Sequence, residues 1–119
     1  MPQIREAFIL ILAITSLFFV VARADAQRGV EIRATEASDV ARGRKIYEKS
    51  CAICHFATST EKKIGPGLKG TMKRDKFSNG WKVNDENLRR WLEDGGKNIP
   101  PSRLNGEQIR EMIVYVKTL

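Results

Sequence analysis

Cys51-Ala52-Ile53-Cys54-His55 uses both cysteines and the single histidine of the 119-residue chain. Two thiols three positions apart, with an imidazole directly after the second, are what covalent haem attachment requires. The sulfurs add to the two porphyrin vinyl groups, and the imidazole beside Cys54 is carried under the ring to ligate iron. A zinc site would need further Cys or His ligands, and none is left. A thioredoxin-type CxxC pair would sit at a strand-to-helix turn in a βαβ pattern, and the chain has no such pattern. The pentapeptide therefore predicts one covalent haem c with its iron, anchored by Cys51 and Cys54 and ligated by His55. It also constrains the fold, because a domain this small needs a staple and a largely apolar porphyrin can serve as the centre of its core.

Residues 1–26 read as an export signal. Arg5 gives a positive start, weakened by Glu6, and residues 8–22 are apolar except for Thr15 and Ser16. Ala24-Asp25-Ala26 has the small-x-small form of a cleavage site, so the mature chain is expected to begin at Gln27, with cleavage after Ala24 as the lesser option. About fifteen apolar residues fall short of the roughly 20 that span a bilayer, so no stable membrane span is expected after cleavage. No cysteine follows the apolar run, which argues against a lipid anchor. A periplasmic or otherwise exported location agrees with the pentapeptide, since haem is attached to CxxCH outside the bacterial cytoplasm.

The formal net charge is +7, and the signal carries away Arg5 and Arg23 together with Glu6 and Asp25. Lys62, Lys63, Lys69, Lys73, Arg74, Lys76 and Lys82 concentrate this charge after the haem motif. Such a surface steers association toward an acidic patch on a partner. Nucleic acid is not an expected partner for an exported chain.

Residues 27–37 are polar with little periodicity and read as a flexible N-terminal lead, leaving 38–119 as one domain. A first helix is expected to start near Ser38 or Asp39 as N-cap and to run to Ser50, with Val40, Gly43, Ile46 and Tyr47 at helical spacing. A loop over 57–80 contains the turn signal Gly65-Pro66-Gly67. A second helix is expected over 85–93, capped by Asn84, stapled by Val83 on Leu88, faced by Leu88, Trp91 and Leu92, and stopped by Gly95-Gly96. The last helix follows Asn105, with Gln108 completing a capping box and Leu104 facing Ile109. Its buried stripe is Ile109, Met112, Ile113 and Val116, with Tyr115 beside it. No strand pattern or repeat appears, so the fold class is all-α, a small helical domain wrapped around one haem.

Over 38–119 the chain resembles the class I monohaem cytochromes c. The matching residues are Gly43 and Tyr47, Cys51-x-x-Cys54-His55, Gly65-Pro66-Gly67-Leu68, Trp91, Pro100-Pro101 and the terminal 114–119. The resemblance implies that the first and last helices cross closely, with Gly43 permitting the approach and Tyr47 and Tyr115 filling it. It gives the Pro66 carbonyl the ring N–H of the ligating histidine, a bond that fixes the imidazole plane and raises its basicity. Trp81, Lys73 and Arg74 are candidates for the haem propionates.

The chain departs from this family on the other side of the iron. Ile99, in Gly96-Lys97-Asn98-Ile99-Pro100-Pro101, stands where the family's methionine is expected, and a hydrocarbon has no lone pair for iron. Met112 lies on the core stripe of the last helix, and Met72 lies on a segment that family geometry places elsewhere. Lys97, Asn98, water or nothing could take the sixth position, so the distal ligand is open. Single-electron transfer between redox partner proteins is the expected function, at a potential lowered by loss of the thioether. The alternatives are a haem protein whose open or labile sixth site binds NO, CO or cyanide, and the haem subunit of a larger oxidoreductase. Enzyme activity such as a weak peroxidase is disfavoured, because no second histidine can shuttle a distal proton. A monomer or one subunit of a redox complex is expected.

Overall fold

Each stretch with helical spacing becomes a helix in the computed structural model: α1 (Pro2–Ser50), α2 (Asp85–Asp94) and α3 (Gly106–Lys117), with a 3-10 turn at Thr71–Lys73. The structure describes the backbone of 2–96 and 99–119, and the side chains of Ile9, Arg23, 25–96 and 99–119. Contacts divide the chain into two units, Met1–Thr35 and Glu36–Leu119.

In the first unit the described side chains are exposed. Those of 8–22, on which the export reading rests, lie outside the described residues apart from Ile9. Among the described residues no helix is long and apolar enough to cross a membrane. Residues 27–37 are helical, which differs from the irregular lead their composition predicts. No proline interrupts this stretch, and Ala, Arg and Glu propagate a helix well. Thr35 Oγ1 turns back onto the Glu31 carbonyl at 2.9 Å. Neither Ser38 nor Asp39 acts as N-cap, because both sit inside α1.

The second unit is built on α3. Ile109, Met112, Ile113 and Val116 are 1–5% exposed, and with Tyr47, Phe77, Leu88 and Tyr115 they form the core. α2 lies against α3, and Lys117 pairs with Asp85 across the two. Both predicted caps are present. Asn84 accepts from Asn87 N at 2.7 Å, and Asn105 and Gln108 exchange bonds of 2.9 and 3.0 Å. Val83 and Leu104, the two expected staples, both pack on the core. α2 ends at Asp94, and Gly95 caps it at φ 71°.

The end of α1 crosses α3 at Gly43. A Cβ there would stand 2.2 Å from the Glu111 carbonyl oxygen and 2.7 Å from Tyr115 Cβ, so only glycine allows this approach. The rings of Tyr47 and Tyr115 fill the crossing with centroids 5.7 Å apart. Asp39 has a different role from the expected cap. It is 4% exposed and pairs with Arg110 of α3 and Arg42 of its own helix, while Arg42 also pairs with Glu111. The hydrogen bond from Arg110, more than any other influence, holds the Asp39 carboxyl below the usual carboxylate range.

Candidate functional site

The pentapeptide continues the path of α1 for one more turn. Cys51 and Ala52 N–H donate to the Tyr47 carbonyl at 2.8 and 2.9 Å, and Cys54 and His55 N–H donate to the Cys51 carbonyl at 3.0 Å. The Tyr47 hydroxyl then donates to the His55 carbonyl at 2.6 Å. One residue thus anchors both ends of the motif, a role that helical spacing alone did not reveal. Lys63 Nζ closes the turn from outside on the Ala52 carbonyl at 2.7 Å.

Gly65-Pro66-Gly67 does more than turn the chain. Gly65 N–H donates to the Cys54 carbonyl at 2.8 Å, which brings this loop beside the motif. The imidazole lies against Gly65, where a Cβ would stand 2.3 Å from His55 Cε1, 2.8 Å from Nδ1 and 2.9 Å from Nε2. The Pro66 carbonyl lies 2.8 Å from His55 Nδ1. With Nδ1 as the donor, Nε2 keeps its lone pair for a metal.

Two clefts, of about 140 and 640 Å³, meet at His55. Both are also lined by Pro66, Ser78, Trp91 and Ile99. Cys51 faces the first and Cys54 the second. Core residues Phe77, Leu88, Met112 and Val116 complete the first, whose wall is almost wholly hydrocarbon. Both thiols are free, and burial, with a smaller contribution from Cys54, pushes the Cys51 thiol above its ordinary value.

The donor set fits a porphyrin with covalent anchors: two thiols, one oriented imidazole and an apolar cleft. Two buried polar atoms in the cleft walls, Thr71 Oγ1 and Trp91 Nε1, have no partner among the described residues. Leaving such a group unpaired costs about 1–3 kcal/mol, so a bound group is the natural acceptor.

The structure separates the propionate candidates. Arg74 lines the first cleft, and its guanidinium also donates to the Gly67 and Lys69 carbonyls at 3.1 and 2.9 Å. Trp81 and Lys73 line neither cleft, and the Trp81 ring instead carries the Arg90 guanidinium at 5.0 Å. The tryptophan at the clefts is Trp91, which the sequence placed on the apolar face of α2 and among the residues of the family resemblance. Met72 packs on the core away from both clefts, whereas Met112 lines the first. Ile99 lines both. Lys97 and Asn98, considered for the sixth position, lie outside the described residues.

Residues 38–116 match the family model described as cytochrome c oxidase, cbb3-type, subunit III. The chain is also similar to cytochrome c oxidase subunit 2 of Bacillus sp. (strain PS3), with 29% identity over 89 residues. That similarity covers 65% of this chain and 25% of the relative, so the chain spans about a quarter of the relative's length. The family match covers nearly all of the helical unit that builds the clefts, and on that ground the chain belongs to the class I cytochromes c, in the family of the cbb3-type cytochrome c oxidase subunit III.

Proposed function

We propose that this chain is an exported monohaem cytochrome c that passes single electrons between redox partner proteins. The observation that carries the reading is the convergence of Cys51, Cys54 and His55 on two clefts that meet at His55, with His55 Nδ1 held at the Pro66 carbonyl. Cys51 and Cys54 would each add S–H across a vinyl double bond, the sulfur to one carbon and the hydrogen to the other. His55 Nε2 would ligate iron while Nδ1–H donates to Pro66, which strengthens the imidazole as a ligand. Bound haem supplies the ferric/ferrous couple. The hydrocarbon walls keep water from the site, and burial and ligand choice then set the potential.

The mouth of the second cleft supports docking to a partner. Ile64 and Ile99, 69% and 38% exposed, lie on its rim with Lys62, and Ile53 of the motif is 72% exposed nearby. An apolar patch edged by lysine suits a partner with a complementary acidic surface. Cleavage after Ala26 and export belong to the same reading, because the motif needs haem attachment outside the cytoplasm. A second reading, a haem-bearing subunit of a larger oxidoreductase, draws on the oxidase subunits named in the comparisons.

The chain should be expressed with its leader in a host that matures c-type cytochromes. A thioether-type pyridine haemochrome and a one-electron reductive titration are the expected results. Cys51→Ser with Cys54→Ser should abolish covalent haem. Protein that matures without haem would overturn the proposal.

A further inference from the structure

His55 is pinned on both sides of its Cα. Its N–H donates to the Cys51 carbonyl at 3.0 Å, and its own carbonyl accepts the Tyr47 hydroxyl at 2.6 Å. With both flanking peptide planes held, the two soft backbone torsions of His55 have little freedom. The ring is then met by Gly65 and by the Pro66 carbonyl, 2.8 Å from Nδ1. Cys51, Gly65 and Pro66 act through backbone, whereas Tyr47 acts through a side-chain oxygen that substitution can delete. That oxygen is placed by more than its own helix. The Tyr47 ring is buried and packs on Tyr115 of α3, with centroids 5.7 Å apart and planes tilted by 43°. Gly43, one turn earlier on α1, admits α3 to that distance. The position of α3 against α1 therefore reaches the His55 backbone through one phenol.

We propose that Tyr47 is a positioning residue for the iron ligand: its hydroxyl, acting through the His55 carbonyl, sets the angle of the imidazole plane and couples that angle to the α1–α3 crossing. The inference rests on the haem reading above and deepens it by naming what orients the ligand. The Pro66 carbonyl holds one ring nitrogen, and a single bond at Nδ1 leaves the plane able to rock about it. Fixing the His55 backbone removes that freedom, because the rotamers open to a side chain depend on φ and ψ. A purely structural hydroxyl would only satisfy a carbonyl left over at a helix end. Such a bond would stabilise the fold and leave the ring angle alone, so the two roles separate in a spectrum of the haem.

The experiment uses the ferric, haem-loaded protein and reads the proton NMR shifts of the haem methyl groups, whose spread follows the angle of the axial imidazole plane. Tyr47→Phe keeps the ring on Tyr115 and deletes one oxygen. It should retain covalent haem, alter the methyl spread or split it into two sets, and raise the unfolding equilibrium constant roughly 3- to 10-fold, the loss of one hydrogen bond. Tyr115→Phe removes the other hydroxyl of the pair and leaves Tyr47 whole, so the spread should stay as in wild type. Tyr115→Leu withdraws the ring behind Tyr47 and should move the spread in the same direction as Tyr47→Phe. A further measurement needs no variant: in ferrous wild type the Tyr47 hydroxyl proton should exchange slowly with water and give a resolved resonance.

Failure of haem attachment in wild type would overturn both the functional reading and this inference. Haem-loaded Tyr47→Phe with the wild-type methyl spread overturns this inference alone, even where its unfolding shifts, because the hydroxyl is then a structural bond. A Tyr47 hydroxyl proton in fast exchange with water also overturns it, which keeps the test open if Tyr47→Phe does not mature. An unchanged spread in Tyr115→Leu overturns the coupling to α3.

Discussion

Gly43→Ala tests whether the crossing of α1 and α3 sets the stability of the haem-bearing unit. The added methyl would stand 2.2 Å from the Glu111 carbonyl oxygen and 2.7 Å from Tyr115 Cβ, where ordinary contact begins at 3.4 Å. Relief needs a movement of about 1.2 Å at the carbonyl. Neither obstacle can rotate aside, because one is α3 backbone and the other is the root of a side chain. The helices must separate, and the Tyr47–Tyr115 contact and the Arg42–Glu111 and Asp39–Arg110 pairs loosen with them. Overpacking of this kind costs about 1–3 kcal/mol, and rigid obstacles place it in the upper half of that range. Replacing glycine in a helix returns about 1 kcal/mol, which leaves a net loss of about 1–2 kcal/mol. For a unit of this size that lowers Tm by about 4–16 °C. Thermal unfolding of the haem-loaded protein followed by circular dichroism measures it. Gly106→Ala, with nothing within 4 Å of the new methyl, should leave Tm nearly unchanged. A Gly43→Ala protein as stable as wild type would refute the packing argument.

Gly65→Ala should drive a methyl into the imidazole and stretch the 2.8 Å contact of His55 Nδ1 with Pro66, a loss of about 0.5–1.5 kcal/mol. Resonance Raman of the ferrous protein should show a lower iron–histidine stretching frequency, since the imidazole gives up basicity with its acceptor. Asp39 makes stability sensitive to acid. Its carboxyl is held below the usual range by Arg110 and Arg42, so its contribution is complete above the ordinary carboxylate pKa, near 3.9. That contribution is lost as pH falls through the lower folded value. Urea unfolding of Asp39→Asn should show a weaker protein at pH 7 and a smaller deficit against wild type at pH 3.

Local chemistry made much of the second unit readable from sequence. Asn84 and the Asn105–Gln108 box cap their helices through bonds within three residues, and the α3 stripe follows from a single period. Gly43 and Tyr47 were readable as a crossing only through resemblance, because Glu111 and Tyr115 lie far along the chain. Asp39 could not be read this way. Its side chain suits an N-cap, and only the arrival of Arg110, 71 residues away, makes it an ion-pair anchor inside a helix. The same distance problem hid which tryptophan lines the clefts. Trp81, a candidate for the haem propionates, carries the Arg90 guanidinium on its ring, while Trp91 reaches the clefts from α2.

The two sides of the cleft differ in how they are specified, and this bears on what each can do. On the His55 side, backbone does the positioning: Gly65 receives the ring, Pro66 accepts its N–H, and the Tyr47 hydroxyl fixes the carbonyl behind it. Changing any of these atoms disturbs the imidazole itself, so this side suits an invariant role as anchor and ligand. On the Ile99 side, the protein supplies a hydrocarbon, a short backbone pairing at Gly96 and one indole N–H with no acceptor among the described residues. A donor left buried and unpaired opposes folding unless something arrives to meet it. The first side explains why the motif was legible in five residues. On the second, Trp91 reaches the clefts from α2 and Gly96 leaves room beside its indole, two residues that no metal-ligand motif would have selected.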